Sequence, residues 1–227
     1  MATNNVHNSW SWSSESGIDL FQRRVEVIRA TVEAGEISQY SGGNMEISFP
    51  GLYAASGFQV DVRKEWLGYG SDESSARELR NLPEFVNYAH IDRIKSDAHS
   101  SRATVCVMPI SATQTTSFAT VLDIEIRNPT DSEGEAGIRD SGQNIGTQNQ
   151  GGRFPNWNVF DPWRITEASV HAGNSELEEG CGPWVSQKFP KARFDSYRCA
   201  WEFPVAPTEH FAAGQQYPRW IGPDKVM

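Results

Sequence analysis

Apolar and polar positions alternate with a period of two along several stretches of the chain. That is the strand pattern, because successive side chains of a strand face opposite sides. "NMEISF" sets Met45, Ile47 and Phe49 against polar neighbours, and "GFQVDVRKEW" does the same with Phe58, Val60 and Val62. "TVCVMPI" divides into Val105, Val107 and Pro109 on one face and Cys106, Met108 and Ile110 on the other. "ATVLDIEIRN" alternates Leu122, Ile124 and Ile126 until the turn residues of "NPTD" stop it. "RITEASVH" and "YRCAWEFPV" read as late strands.

Helical spacing occurs twice. Phe21, Val25, Ile28 and Val32 recur at i, i+4, i+7 and i+11, and Gly35 follows as a C′ residue. The β-branched content of this stretch favours a strand, but the spacing decides for a helix over 18–34. Between Gly70 and Lys95, Leu82, Phe85, Val86 and Ala89 make one helical face, with Pro83 suited to a first turn.

Two segments carry neither period. Residues 1–17 are rich in Ser and Asn and read as a polar arm that docks through Trp10 and Trp12. Residues 128–158 form a long loop of Gly, Asn, Gln, Asp and Ser, and loops of that length tend to serve a function. "FPNWNVFDPW" overlaps its end and anchors it with aromatics. The pattern predicts one mainly β domain over 18–227, a jelly-roll-like β-sandwich with one or two helices in its connections. The alternative is α+β.

Composition narrows the function. The chain has 227 residues and a net charge of −9, which argues against strong binding to a nucleic-acid backbone. The nearest thing to a basic run, Arg23, Arg24 and Arg29, reads as a solvated face. No apolar run has the ~18 residues of a membrane-spanning helix, and the N-terminus lacks the basic and apolar regions of a secretory signal. Three cysteines, an odd number, with no such signal predict reduced thiols. The expected setting is the cytoplasm or an assembled particle.

Few residues suggest chemistry. Cys181 lies between two glycines in "GCGPW", which loosely resembles the nucleophile turn of chymotrypsin-like cysteine proteases. His90 or His99 would then have to act as base. Pro183 gives a simpler account, a structural turn. Cys106 and Cys199 alternate with apolar strand residues and read as core thiols. The "HID" of His90 and Asp92, with His210 as a distant third ligand, resembles the two-histidine, one-carboxylate set of non-haem iron oxygenases. In that resemblance Arg219 would hold a cosubstrate carboxylate. Glu176, Glu178 and Glu179 read as a solvated acidic turn. No cofactor is expected, because zinc-type Cys pairs and both glycine-rich nucleotide motifs are missing from the sequence.

The aromatics remain. Trp10, Trp12, Trp157, Phe160 and Trp163 are candidates for a subunit interface, where Trp and Phe are enriched. The reading is a non-catalytic, self-assembling subunit of the coat or shell kind, a homo-oligomer with no membrane partner. The alternatives are the iron-oxygenase set and a carbohydrate- or ligand-binding β module.

Overall fold

The computed structural model describes residues 8–40, 48–57, 85–141, 152, 154–171, 177–207 and 216–223. The strands expected at 44–49 and 57–66 fall, but for their ends, outside these residues. The fold is mainly β and sandwich-like, as the alternation predicts, with two sheets and few helices.

The larger sheet has the order β1 (Asn8–Ser14), β2 (Phe85–Ser96), β3 (Ser100–Ser111), β5 (Thr120–Arg127) and β6 (Arg164–His171). Strands β2, β3, β5 and β6 form an antiparallel meander, and β1 joins β2 in parallel. The smaller sheet has the order β4 (Thr116–Ser117), β8 (Ala200–Glu202) and β7 (Arg193–Asp195). Helix α1 runs over Arg23–Tyr40, α2 over Leu52–Ser56 and α3 over Gly182–Lys188. A π-helical turn, Leu177–Cys181, leads into α3.

Three expectations are corrected. The N-terminal arm is in large part an edge strand. "NSWSWSS" has period two, and it sends Trp10 and Trp12 into the core while Ser9, Ser11 and Ser13 line the other face. The outer edge of β1 is covered in turn by the C-terminal segment, where Trp12 N–H donates to Tyr217 O (2.9 Å) and Tyr217 N–H to Trp10 O (2.9 Å). The helix expected around 82–89 is a strand from Phe85 onward. Val86, Tyr88 and His90 lie on one side of it and Ala89 and Ile91 on the other, and both sides are buried. A strand apolar on both faces shows apolar residues at helical spacings too. Helix α1 also does not stop at Gly35 but continues to Tyr40.

The larger sheet is therefore covered on both faces. Helix α1 packs over the first face, against Val105, Val107, Leu122, Ile124 and Ile126. It is buried nearly all round, Arg23 (7 % exposed) and Arg29 (2 %) included, so the basic run is not a solvated face. Its charges are satisfied internally, as burial demands. Arg23 pairs with Glu26 (2.9 Å) and donates to Val159 O (2.6 Å). Glu26 accepts from Gly137 N–H (2.9 Å), which ties the polar loop to the helix. Arg29 lies over the Trp220 ring at 4.6 Å and donates to Leu20 O and Pro218 O.

Glu33 is the hub of this face. It accepts from Trp12 Nε1 (2.8 Å), Trp220 Nε1 (2.7 Å) and Gln216 Nε2 (3.3 Å). One carboxylate thus joins α1, β1 and the C-terminal segment. Burial pushes its pKa up to about 7, against the pull of Arg29 and its three donors. Phe160 and Trp163 are buried here as well, and Trp157 packs against the same cluster. All five aromatics assigned to a subunit interface thus pack within their own chain. Burying one such side chain contributes roughly 1.5–3 kcal/mol.

Candidate functional site

The second face of the larger sheet carries a separate core. Val86, Tyr88, Cys106, Met108 and Ile110 project from β2 and β3 onto α3 and the smaller sheet. Leu177, Cys181, Trp184, Val185 and Phe189 meet them from above, with Trp201 and Phe203 beside β8. Pro183 starts α3 without loss, since the first helical N–H has no partner to give up.

One covalent bond fixes this layer. Cys181 is joined to Cys106 by a disulfide across a sequence separation of 75, with Cα atoms 5.7 Å apart. The expectation of reduced thiols is corrected for this pair. No thiolate is left at Cys181, so the protease-like reading of "GCGPW" fails on chemistry. The alternation of "TVCVMPI" did point Cys106 to this face. What the sequence hid is that the turn holding Cys181 crosses above it. Cys199, partly buried, is outside the disulfide.

Of the residues in the iron-oxygenase resemblance, His90, Asp92 and Arg219 are described. His90 and Asp92 lie on β2, but the pairing of β2 with β3 slips between Ile91 and Arg93 and so displaces Asp92 from the regular pleat. Both ring nitrogens of His90 are engaged, Nδ1 with Ser13 Oγ (3.0 Å) and Nε2 with Glu15 Oε1 (3.3 Å). Its ring stacks on Trp184 with centroids 5.2 Å apart and planes 9° from parallel. Burial holds its pKa below the ordinary histidine value, against the pull of Glu15. His210 lies outside the described residues. Arg219 is committed to Asp140, with Nη2 donating to Oδ1 at 2.7 Å. Among the described residues no group of three His, Cys, Asp or Glu side chains is placed to hold a metal.

The Ser13–His90–Glu15 line resembles a nucleophile, base and acid in order. Its burial is the reverse of what that chemistry needs. The acid, Glu15, is exposed, the histidine is 5 % exposed under Trp184, and the serine hydroxyl also reaches Ala89 O at 3.3 Å. The line fastens the end of β1 to β2. Of the three acids of the turn, Glu179 is exposed, and the side chains of Glu176 and Glu178 lie outside the described residues.

What remains open on this layer is apolar. Between the end of α3 and the strand β8 runs a small groove of about 130 Å³, lined by Phe189, Pro190, Lys191, Phe203, Pro204, Val205 and Pro207. Val205 is 62 % exposed, Phe118 60 % and Tyr197 94 %. Phe118 follows β4, Tyr197 lies in the β7–β8 turn and Val205 follows β8, so all three flank strands of the smaller sheet. Sequence reasoning missed this groove. Its only signal was "KFPKARF" followed by "FPVAP", two Phe-Pro pairs beside lysines.

No family model, curated protein or solved structure matches the chain. Among the described residues no helix is long and apolar enough to cross a membrane.

Proposed function

We propose that this protein is a non-catalytic, self-associating structural subunit, and that it associates through the outer surface of the smaller sheet. One observation carries the reading. Phe118, Tyr197 and Val205 are exposed around the strand ends of that sheet, and Val205 lines an apolar groove. Exposed aromatic and aliphatic side chains of this kind, where they are brought together, mark surfaces that are covered in the working state. Charge supports a second copy as the cover. Lys188, Lys191, Arg193 and Arg198 lie here with two acids, Asp195 and Glu202, both beside Arg198, on a chain of net charge −9. A copy of the same chain therefore offers opposite charge almost anywhere else on its surface. The Trp-bearing N-terminal segment no longer supports assembly, because its indoles are in the core.

The disulfide bears on location. Such bonds persist in oxidising surroundings, which favours a particle outside the reducing cytosol over a cytoplasmic subunit.

Size-exclusion chromatography with light scattering tests the association. Wild type is expected to run well above the 25.3 kDa of one chain. The double variant Phe118→Ser, Val205→Asp is expected to return it to one chain. A wild type that stays monomeric from micromolar to millimolar concentration would sink the reading.

A further inference from the structure

We infer that residues 216–223 are a strap whose hold on β1 is set by pH, closed in acid and loosened towards neutral pH, where it uncovers the outer edge of β1. The strap meets β1 at one bridge, Ser11 to Tyr217, whereas β1 and β2 are joined by a continuous ladder from Asn8 to Ser14. Its other ties are short. Gly152 and Trp220 exchange two backbone hydrogen bonds (2.9 and 3.0 Å), Ile138 N–H donates to Ile221 O (2.9 Å), and Arg219 Nη2 donates to Asp140 Oδ1 (2.7 Å). A segment held in this way opens before the sheet it lies on. The position of Glu33 makes that opening answer to pH. Glu33 is 1 % exposed, and both side-chain donors of the strap, Trp220 Nε1 (2.7 Å) and Gln216 Nε2 (3.3 Å), converge on its Oε2. Oε1 accepts from Trp12 Nε1 of β1 (2.8 Å). A proton placed on Oε1 leaves both strap bonds standing.

The surrounding charges allow the carboxylate to change state. Arg29, one turn earlier on α1, attracts its negative charge. Arg29 keeps other partners when Glu33 is neutral, since it lies over the rings of Trp220 (4.6 Å) and Trp12 (5.9 Å) and donates to Leu20 O and Pro218 O. Glu26 of α1, Asp140 of the polar loop and Tyr217 of the strap act on Arg29 in turn. Arg219 of the strap is paired with Asp140. β1 supplies the indole of Trp12, and the larger sheet meets α1 with apolar side chains. His90, the other displaced group, lies on the opposite face with Ser13, Glu15 and Trp184. With the strap closed, burial keeps the proton on Glu33 up to about pH 7. With the strap open, water reaches the carboxylate and returns it towards its ordinary 4.5. The closed state takes up the proton first. Closure is therefore strongest in acid, loses strength as pH rises from 4.5 to about 7, and stays at the lower level above that. The device works within one chain and does not rest on self-association.

Amide hydrogen exchange of the full chain at pH 6 and pH 8, corrected for the intrinsic rate of each amide, tests this. The N–H groups of Tyr217 and Trp220 both donate across the edges of the strap. They are expected to exchange faster than the amides of β3 and β5, the mark of local opening. They are also expected to be about tenfold better protected at pH 6 than at pH 8, the effect of a group that titrates one unit above pH 6. Glu33→Gln does not titrate, and there the two pH values are expected to agree within about twofold. Near-ultraviolet circular dichroism checks that the variant keeps the wild-type fold. If it does not fold, the wild type carries the test: in carbon-13 spectra the carboxyl signal of one glutamate is expected to titrate near pH 7, in step with the indole N–H of Trp220. The strap is refuted if its amides exchange no faster than those of β3, or if their protection at pH 6 does not exceed that at pH 8. It is equally refuted if the ratio survives in Glu33→Gln, or if no glutamate carboxyl of the wild type titrates above pH 6.

Discussion

The two faces of the larger sheet are finished in opposite ways. On the first, a long helix is buried nearly all round, and its arginines and glutamates find partners inside the molecule. Nothing charged there is left to meet a ligand. On the second, a short helix is held down by a disulfide, and the layer stops short of covering its own apolar residues. The contrast separates structure from function. A face whose buried charges are paired within the chain is architecture, and a face that leaves aromatic and aliphatic side chains exposed is where a partner belongs.

The comparison breaks most visibly if the first face loses β1. Removing residues 1–13 deletes both buried indoles and nearly all of the parallel ladder to β2. Loss of two core tryptophans alone costs roughly 3–5 kcal/mol each, against a total stability of roughly 5–15 kcal/mol. The truncated chain is expected not to fold, seen as loss of near-ultraviolet circular dichroism. A truncated chain that melts like the full one would show that β1 is an accessory after all.

On the second face the equivalent test is the disulfide. In the chain-entropy account, closing a loop of this separation restricts the unfolded state by about 4 kcal/mol. Cys106→Ala with Cys181→Ala is expected to lower urea stability by about that much while the first face keeps its structure. A change below ~1 kcal/mol would mean that apolar packing alone holds α3.

Much of the fold was legible, and the failures have specific causes. Strand β5 alternates apolar and polar residues, so period two identified it, and β3, buried on both faces, reads as a short apolar run of β-branched residues. Strand β2 is buried on both faces, and the apolar residues 82, 85, 86 and 89 of the sequence fit a helix as well as a strand. β1 was misread because its polar residues are serines, and "NSWSWSS" looks like a flexible tail until the tryptophans are given a common face. Gly35 looked like a helix end because nothing in the sequence shows that α1 is enclosed by the rest of the chain. The site was harder still. The groove and the disulfide each join residues far apart in sequence, and no local pattern announces either.

Glu33 sharpens the comparison next, with a smaller effect. Glu33→Gln turns an acceptor into an amide that faces an indole or amide N–H with its own donor. Charged hydrogen bonds of this kind are worth roughly 1.5–3 kcal/mol, and a loss of about that size is expected at pH 7. The second face should be untouched, so the variant should self-associate as wild type does. A variant that loses association together with stability would show that the two faces are not independent.

The smallest expected effect is a difference in pH dependence between the faces. Glu33 has its folded pKa raised to about 7, from an ordinary value of 4.5. The folded state therefore takes up that proton first, and the group's contribution to stability grows as pH falls from 7 towards 4.5. His90 has its pKa lowered from 6.5 by burial. The unfolded state takes up that proton first, so the contribution of His90 is present above pH 6.5 and is lost as pH falls below it. In wild type the two slopes oppose each other between about pH 6.5 and 4.5. Each variant should expose the other group. Glu33→Gln is expected to make stability fall more steeply with acid, whereas His90→Phe, which keeps a ring against Trp184, should make it fall less or rise. Urea titrations at pH 7, 6 and 5 read this directly. If the two variants keep parallel slopes, the carboxylate and the imidazole do not titrate as their surroundings require, and the contrast between the faces is not electrostatic.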